Sequence, residues 1–309
     1  MDFLIGPRTL PRWAVANLIG NMAIVWTGAL VRLTDSGLGC ATWPQCEPGS
    51  YLPHPEAPLH AYIEFGNRLL TFVLIIIALG TFLAALRSVR AGRQPRRVAW
   101  LSFAVGVGII GQAVVGGISV LTQLNPWVVG LHMVLSVALI VVCTRIVHEV
   151  FGLAATPVPT LPWVLSQVVF FASLAMMYLG TVTSGSGPHA GDGAATRNGF
   201  NLADVARVHS LFMWVTLGCT LALVVAARSL PRLRRSALAV LGVAVLQGAV
   251  GYTQYLLQLP EALVLAHMVG TTVYTVAVAH LWFGVRRAAP PAAQKTSGST
   301  AAARNTTAR

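Results

Sequence analysis

Residues 111–136, GQAVVGGISVLTQLNPWVVGLHMVLS, are answered later in the chain by residues 246–271, LQGAVGYTQYLLQLPEALVLAHMVGT. Gln112 precedes His132 by 20 residues and Gln123 precedes it by nine; Gln247 and Gln258 precede His267 by the same 20 and nine. Equal spacing of polar residues inside apolar surroundings marks an internal repeat, and missing a repeat misreads the whole fold. Weaker matches extend it. TGALVRLTDSGLG (27–39) and LGTVTSGSG (179–187) both leave an apolar run through Gly and Ser. IEFGNRLL (63–70) aligns with VARVHSLF (205–212), which sets Asn67 against His209.

The repeated unit is a set of four apolar runs, each long enough to cross a bilayer as a helix of roughly 17–25 residues. Eight runs recur: 13–33, 61–86, 98–121, 127–148, 162–183, 204–227, 236–257 and 262–284. Of the 309 residues, 55% are hydrophobic and 10% charged, against about 25% charged in a soluble domain. The expected fold is an all-α polytopic membrane protein, eight transmembrane helices as two pseudo-symmetric four-helix bundles. Both halves start on the same side, so the repeats run parallel, about an axis near the membrane normal. A β-barrel would need strands of about 10 residues alternating in polarity, which these runs are not. The first run is long and has no small-residue cleavage site after it, so it reads as a retained helix.

The net charge of +12 does not indicate a nucleic-acid partner. Of 21 Lys and Arg residues, 17 fall in the N-terminus, at 87–97, 145 and 228–235, and in the C-terminal tail, all on one side. Seven of nine acids, Asp35, Glu47, Glu56, Glu64, Asp192, Asp204 and Glu261, fall on the other side or at its helix ends. The positive-inside rule then puts both termini in the cytoplasm. The expected divisions are 1–150, 151–285 and a polar tail, 286–309, that reads as disordered.

Eight histidines are present. His54, His60 and His189 fall in outer loops or at their edges, while His148 and His280 sit near inner helix ends, where interfacial anchoring accounts for His280. His132, His209 and His267 lie about five residues below the outer ends of helices 4, 6 and 8, and Asn67 about six below that of helix 2. At about 1.5 Å per residue all four share one level, roughly 8–9 Å deep. Unrelated polar residues bonded across helices are the plain alternative, but three histidines at one depth on repeat-related helices favour ligands. Facing histidines in a helical bundle can hold a heme iron between two imidazoles. His209 and His267 form such a pair, whereas His132 faces Asn67, a poor iron ligand, which leaves a coordination position open. Zinc is a weaker reading, since no thiolate lies at this level.

Glu64, Asn67 and Arg68 stand at i, i+3 and i+4, and ionisable groups inside membrane segments are costly and usually functional. Two roles are open for Arg68 and Arg207. They either pair with Glu64 and Asp204 on their own helices or meet the carboxylates of a heme at the rim of each site. Cys40 and Cys46 lie in a loop on the oxidising side and are disulfide candidates, either as a loop clamp or as a redox pair. Cys143 and Cys219 read as apolar filler.

Taken together, GALVRLTDSGLGCATWPQC (28–46), HAYIEFGNRLL (60–70), TVTSGSGPHAGD (181–192) and the histidines of helices 4, 6 and 8 resemble heme A synthase, in the form found in high-GC Gram-positive bacteria. The resemblance runs from about residue 13 to 284. It implies oxidation of the methyl at ring position 8 of heme O to a formyl group, giving heme A for terminal oxidases. It further implies a b-type heme held by His209 and His267, a substrate site with Glu64, Asn67 and His132, and a cysteine pair, Cys40 with Cys46. Implied partners are heme O synthase (protoheme farnesyltransferase), cytochrome c oxidase assembly, an unidentified electron donor, membrane lipid and a second copy in a homo-oligomer, in a bacterial cell membrane. One departure stands out: many members carry histidine where this chain has Asn67. A b-type cytochrome carrying electrons from quinol explains the histidines but not Glu64 or the loop cysteines. A parallel-repeat transporter explains the halves but leaves the co-level histidines without a role.

Overall fold

The computed structural model describes residues 5–289. Eight long helices occupy the apolar runs: α1 Leu10–Leu33, α2 Leu59–Arg90, α3 Arg96–Leu121, α4 Pro126–Val150, α5 Thr160–Ser186, α6 Leu202–Ala226, α7 Pro231–Leu256 and α8 Glu261–Phe283. All eight are long and apolar enough to span a membrane. The helices outrun the apolar runs, because the helical geometry continues into polar residues at the bilayer surface. Pro231 opens α7 five residues before the expected start, where a missing N–H costs nothing, and three arginines follow in its first turns.

Each half closes into a ring. α1 packs on α2, α2 on α3, α3 on α4 and α4 back on α1; α5, α6, α7 and α8 repeat the cycle. The rings meet through α4 against α8, with α1 against α8 and α4 against α5 as mutually equivalent flanking contacts. Exchanging the halves maps this interface onto itself, as the sequence repeat requires. Within each ring the second and fourth helices stand across from each other rather than side by side. The space between them is where a ligand shared by both helices belongs.

The connections that follow the repeat also match in detail. Gln123 and Leu124 after α3 both have positive φ (52° and 58°), as do Gln258 and Leu259 after α7 (64° and 62°). Two successive non-glycine residues in the left-handed region are rare. The turns are held by the same bonds, Leu124 N–H to Ser119 O and Leu259 N–H to Gln254 O, both 2.7 Å.

The main apolar cores lie away from the histidine level, toward the face that carries the chain ends. In the second half this core includes Val169, Leu223, Val240, Val278 and Leu281; in the first, Leu74, Val105, Ile109, Cys143 and Ile146. Cys143 is thus core filler, as expected. A two-stranded parallel ladder, β1 Thr156–Val158 with β2 Val285–Arg287, ties the chain after α8 to the link between the halves. Arg286 and Arg287 are therefore ordered, which corrects the start of the expected polar tail; its residues 290–309 lie outside the described residues.

Candidate functional site

His132 and His267 each lie six residues, about 9 Å, into their helices; His209 and Asn67 lie seven and eight residues in, about 10–12 Å. The four expected residues thus sit near one level, on pairs of helices that face across each ring.

The surroundings of His132 and His267 are copies of one another. Gln112 Nε2 donates to His132 O (3.1 Å) and lies 2.6 Å from Ser136 Oγ. Gln247 Nε2 donates to His267 O (2.9 Å) and reaches Thr271 Oγ1 at 3.3 Å. A glutamine on the third helix of each ring thereby fastens the turn of the fourth that carries the histidine. Each imidazole rests against a glycine of that third helix: a β-carbon on Gly116 would stand 3.3 Å from His132 Cε1, and one on Gly251 at 3.3 Å from His267 Cε1. Nδ1 of both rings is buried without a hydrogen-bond partner. Buried polar atoms are normally satisfied, so two orphaned imidazole nitrogens at repeat-related positions point to rings arranged for a ligand rather than for the fold.

The other wall of each site differs. His209 Nδ1 lies 3.0 Å from Met176 O; donation to that carbonyl fixes the tautomer and leaves Nε2 as the free lone pair. Its ring is seated on Gly180, where a β-carbon would lie 3.2 Å from Cε1. In the first half Asn67 Oδ1 accepts from Thr27 Oγ1 of α1 at 2.8 Å. Gly28, which occupies in GALVRLT the place of Gly180 in GTVTSGS, has open space at its β-carbon position. The smaller side chain leaves room where the second half has an imidazole.

Cys40 and Cys46 form a disulfide, and the loop it closes is fastened to α2. Glu64, 5% exposed, accepts from Cys40 N at 2.7 Å through Oε2 and from Arg68 through Oε1. Arg68 Nε and Nη2 reach Glu64 at 3.0 and 2.5 Å, Nη1 reaches Thr42 O and Gln45 O at 3.0 and 3.2 Å, and Nη2 reaches Cys40 O at 3.1 Å. A guanidinium has five N–H groups, and these five contacts use them all. In this arrangement Arg68 has no donor left for a ligand carboxylate; of its two expected roles, the ion pair is the one present. Trp43 of the loop lies over Gly117 of α3, so closely that no side chain could replace that glycine's hydrogen. The disulfide loop is thus a lid pinned to two helices of the first ring.

The second half has no such lid. Arg207 reaches Asp204 at 3.3 Å, with side chains 81% and 69% exposed, so its guanidinium stays available at the rim. The loop after α5 turns instead toward the first half. Arg32, at the end of α1, donates to His189 O and, at 2.7 Å, to Ser184 O; Gly37 N–H donates to Gly191 O at 2.8 Å. His189 Nε2 lies 2.9 Å from Leu259 O. Sequence reasoning passed over Arg32, whose partners lie more than 150 residues away. It also did not foresee the pair His148 and His280, whose Nε2 and Nδ1 meet at 2.9 Å across the α4–α8 contact. His60, in the first turn of α2, bonds Ser36 Oγ of the loop after α1 at 3.0 Å, about two turns from Asn67.

The architecture defines a polytopic membrane protein of two four-helix rings, one with a histidine on both facing helices and one with a histidine on one. Residues 11–279 match the family model COX15-CtaA, described as "Cytochrome oxidase assembly protein", and the chain belongs to that family. It is 35% identical over 147 residues to the heme A synthase of Lysinibacillus sphaericus (strain C3-41), covering 46% of each chain. It is 33% identical over 115 residues to that of Geobacillus kaustophilus (strain HTA426), covering 37% of this chain and 34% of the relative. The matched stretches thus span less than half the length of these relatives.

Proposed function

We propose that this protein is a heme A synthase, an oxidoreductase of the bacterial cell membrane that converts the ring methyl of heme O to the formyl group of heme A. The observation that carries this reading is the contrast between two otherwise copied sites: imidazoles on both facing helices in one half, an imidazole facing a carboxamide in the other. Held by two imidazoles, a heme would supply one-electron redox chemistry; held by one, it would be open to oxygen chemistry.

In this reading His209 and His267 hold a resident b-type heme. Met176 O fixes the His209 tautomer so that Nε2 faces the site, as such partners of ligating histidines do. Gly180 and Gly251 let the two rings lie close to their neighbouring helices. Arg207, exposed at the rim, is available to heme carboxylates. In the first half His132 binds the substrate, heme O, and Asn67 lines the opposite wall, where the space beside Gly28 accepts the bulk that a second imidazole would exclude.

Glu64 takes a more specific part than that of a free acid in a pocket. Both its oxygens are engaged, so it acts as a positioning residue: with Arg68 it holds the disulfide loop, and Trp43 with it, over the substrate half. A proton relay through Glu64 would require that lid to lift.

Both termini face the cytoplasm, and the disulfide loop faces the oxidising side. The chemistry requires heme O synthase as the supplier of substrate and cytochrome oxidase assembly as the user of product. The test is co-expression with a source of heme O, followed by acid extraction and chromatography of the hemes. Heme A in the extract is the expected result. A protein that carries heme b and leaves heme O unchanged is instead an electron-transfer cytochrome.

A further inference from the structure

In the second half the buried polar atoms leave one donor and one acceptor over. Among the described residues from 151 onward, two buried side-chain atoms have no hydrogen-bond partner, Nδ1 of His267 and Oε1 of Gln254. They belong to neighbouring helices, α8 and α7, near the same end of the bundle. Buried polar atoms without partners are few, and each calls for an explanation.

Each of the two is placed toward the other. A β-carbon on Gly251 would lie 3.3 Å from His267 Cε1 and 3.7 Å from Nδ1, with Nε2 farther off. Nδ1 is thus turned to α7 and Nε2 away from it. Gln254 stands one turn above Gly251, about 4.5 Å along the axis. Helical side chains lean back toward the N-terminus of their helix, so Gln254 leans down over Gly251, where the imidazole rests. Gln254 also lies two turns above Gln247 on one face of α7, and Gln247 bonds His267 O of α8. The terminal torsion of glutamine is broad, which lets the carboxamide turn to the ring.

A neutral imidazole that offers its Nε2 lone pair to iron carries its hydrogen on Nδ1. Ligating histidines almost always donate that hydrogen to an acceptor, which fixes the ring and raises its basicity. His209 has such an acceptor in Met176 O. For His267 the spare acceptor is Gln254.

The first half has no counterpart. The repeat that sets His132 against His267 sets Ser119 against Gln254, and Ser119 Oγ is already spent on Gly116 O of its own helix at 2.6 Å. The unpartnered acceptor there, Gln112 Oε1, lies one turn below Gly116, beside the His132 carbonyl that Gln112 Nε2 bonds. The His132 ring leans the other way, toward the outer end of α4.

We propose that Gln254 is a positioning residue of the second half: its carboxamide oxygen accepts the Nδ1 hydrogen of His267 when Nε2 is bound to heme iron. The proposal deepens the reading of this half as a two-histidine heme site and rests on it. It also separates the halves further, since only the second gives both its imidazoles an acceptor behind the ring.

The test is spectroelectrochemical titration of the purified full-length protein in lipid nanodiscs, following the low-spin b-type heme. A hydrogen bond from Nδ1 makes the imidazole a stronger donor and favours ferric iron. Gln254→Met keeps the bulk and removes the acceptor, so it should favour the ferrous form about tenfold, a rise of about 59 mV in midpoint potential for one electron. Gln254→Glu keeps an acceptor and should not raise the potential, and Ser119→Ala should leave it at the wild-type value. Loss of heme from Gln254→Met with retention in Gln254→Glu supports the same role, whereas loss from both overturns it. A Gln254→Met potential equal to that of wild type, or an equal rise in Gln254→Glu, also overturns it and gives Nδ1 to a main-chain carbonyl. Low-spin heme that ignores Gln254 removes this proposal alone; absence of low-spin heme from wild type removes the two-histidine reading and this proposal with it.

Discussion

The two halves are built on one plan and differ where chemistry would be done. Gln112 and Gln247 fasten His132 and His267 by the same bonds, and Gly116 and Gly251 seat the two rings at the same distance. Across the ring the plan diverges. The second half presents His209, oriented by Met176 O, whereas the first presents Asn67, turned to Thr27. The covers diverge too: a disulfide loop locked by Glu64 and Arg68 closes the first half, while Arg207 stands exposed at the rim of the second. The repeat keeps the Gln–His–Gly arrangement in both halves and changes the opposing wall and the loop above it; the proposed function accounts for both changes. A resident group needs two fixed bonds and no exit; a substrate needs one bond, space and a cover that can open.

The largest effect should come from breaking the lid. Arg68→Ala leaves Glu64 buried without its partner and releases the carbonyls of Cys40, Thr42 and Gln45. Removing one member of a buried pair costs roughly 3–5 kcal/mol, and the partial exposure of the Arg68 side chain places this pair toward the lower value. Thermal unfolding of purified protein should register that loss, whereas Arg207→Ala, a change at an exposed pair worth about 0–1 kcal/mol, should leave the midpoint nearly unchanged. Equal shifts for the two arginines would remove the asymmetry of the covers. Glu64→Gln keeps the shape but loses the charge; heme A formation should fall at least tenfold while the resident heme is kept. A wild-type rate would reduce Glu64 to a helix ion-pair partner.

Asn67→His should make the first half resemble the second. An imidazole there offers a second strong ligand, so heme bound in that half should shift toward a low-spin spectrum and product formation should drop. An unchanged spin state would mean that Asn67 does not face the ligand. The smallest effect should separate two glycines. A β-carbon on Gly180 would press to 3.2 Å on the His209 ring, whereas one on Gly28 meets open space. Gly180→Ala should therefore shift the low-spin absorption or potential of the resident heme, and Gly28→Ala should do so much less.

Much of this was readable from sequence because it is periodic or local. The equal Gln-to-His spacings located the repeat, apolar length located the spans, and the i, i+4 placement of Glu64 and Arg68 offered their ion pair as one of two roles. What stayed hidden was contact between distant segments. Arg68 could be given a ligand because nothing local says that the carbonyls of residues 40–45 use up its donors. Arg32 reaches Ser184 and His189, and His148 meets His280, across the interface between halves. Such pairings depend on how the two rings dock, which no periodicity encodes.

The division of labour between the halves is tested most directly by counting low-spin heme per chain in purified His132→Ala and His267→Ala proteins, by pyridine hemochrome and low-temperature electron paramagnetic resonance. His132→Ala should keep most of the low-spin b-type heme and lose product; His267→Ala should lose the low-spin signal. Loss of that signal in His132→Ala with its retention in His267→Ala would contradict the account and exchange the roles of the two halves.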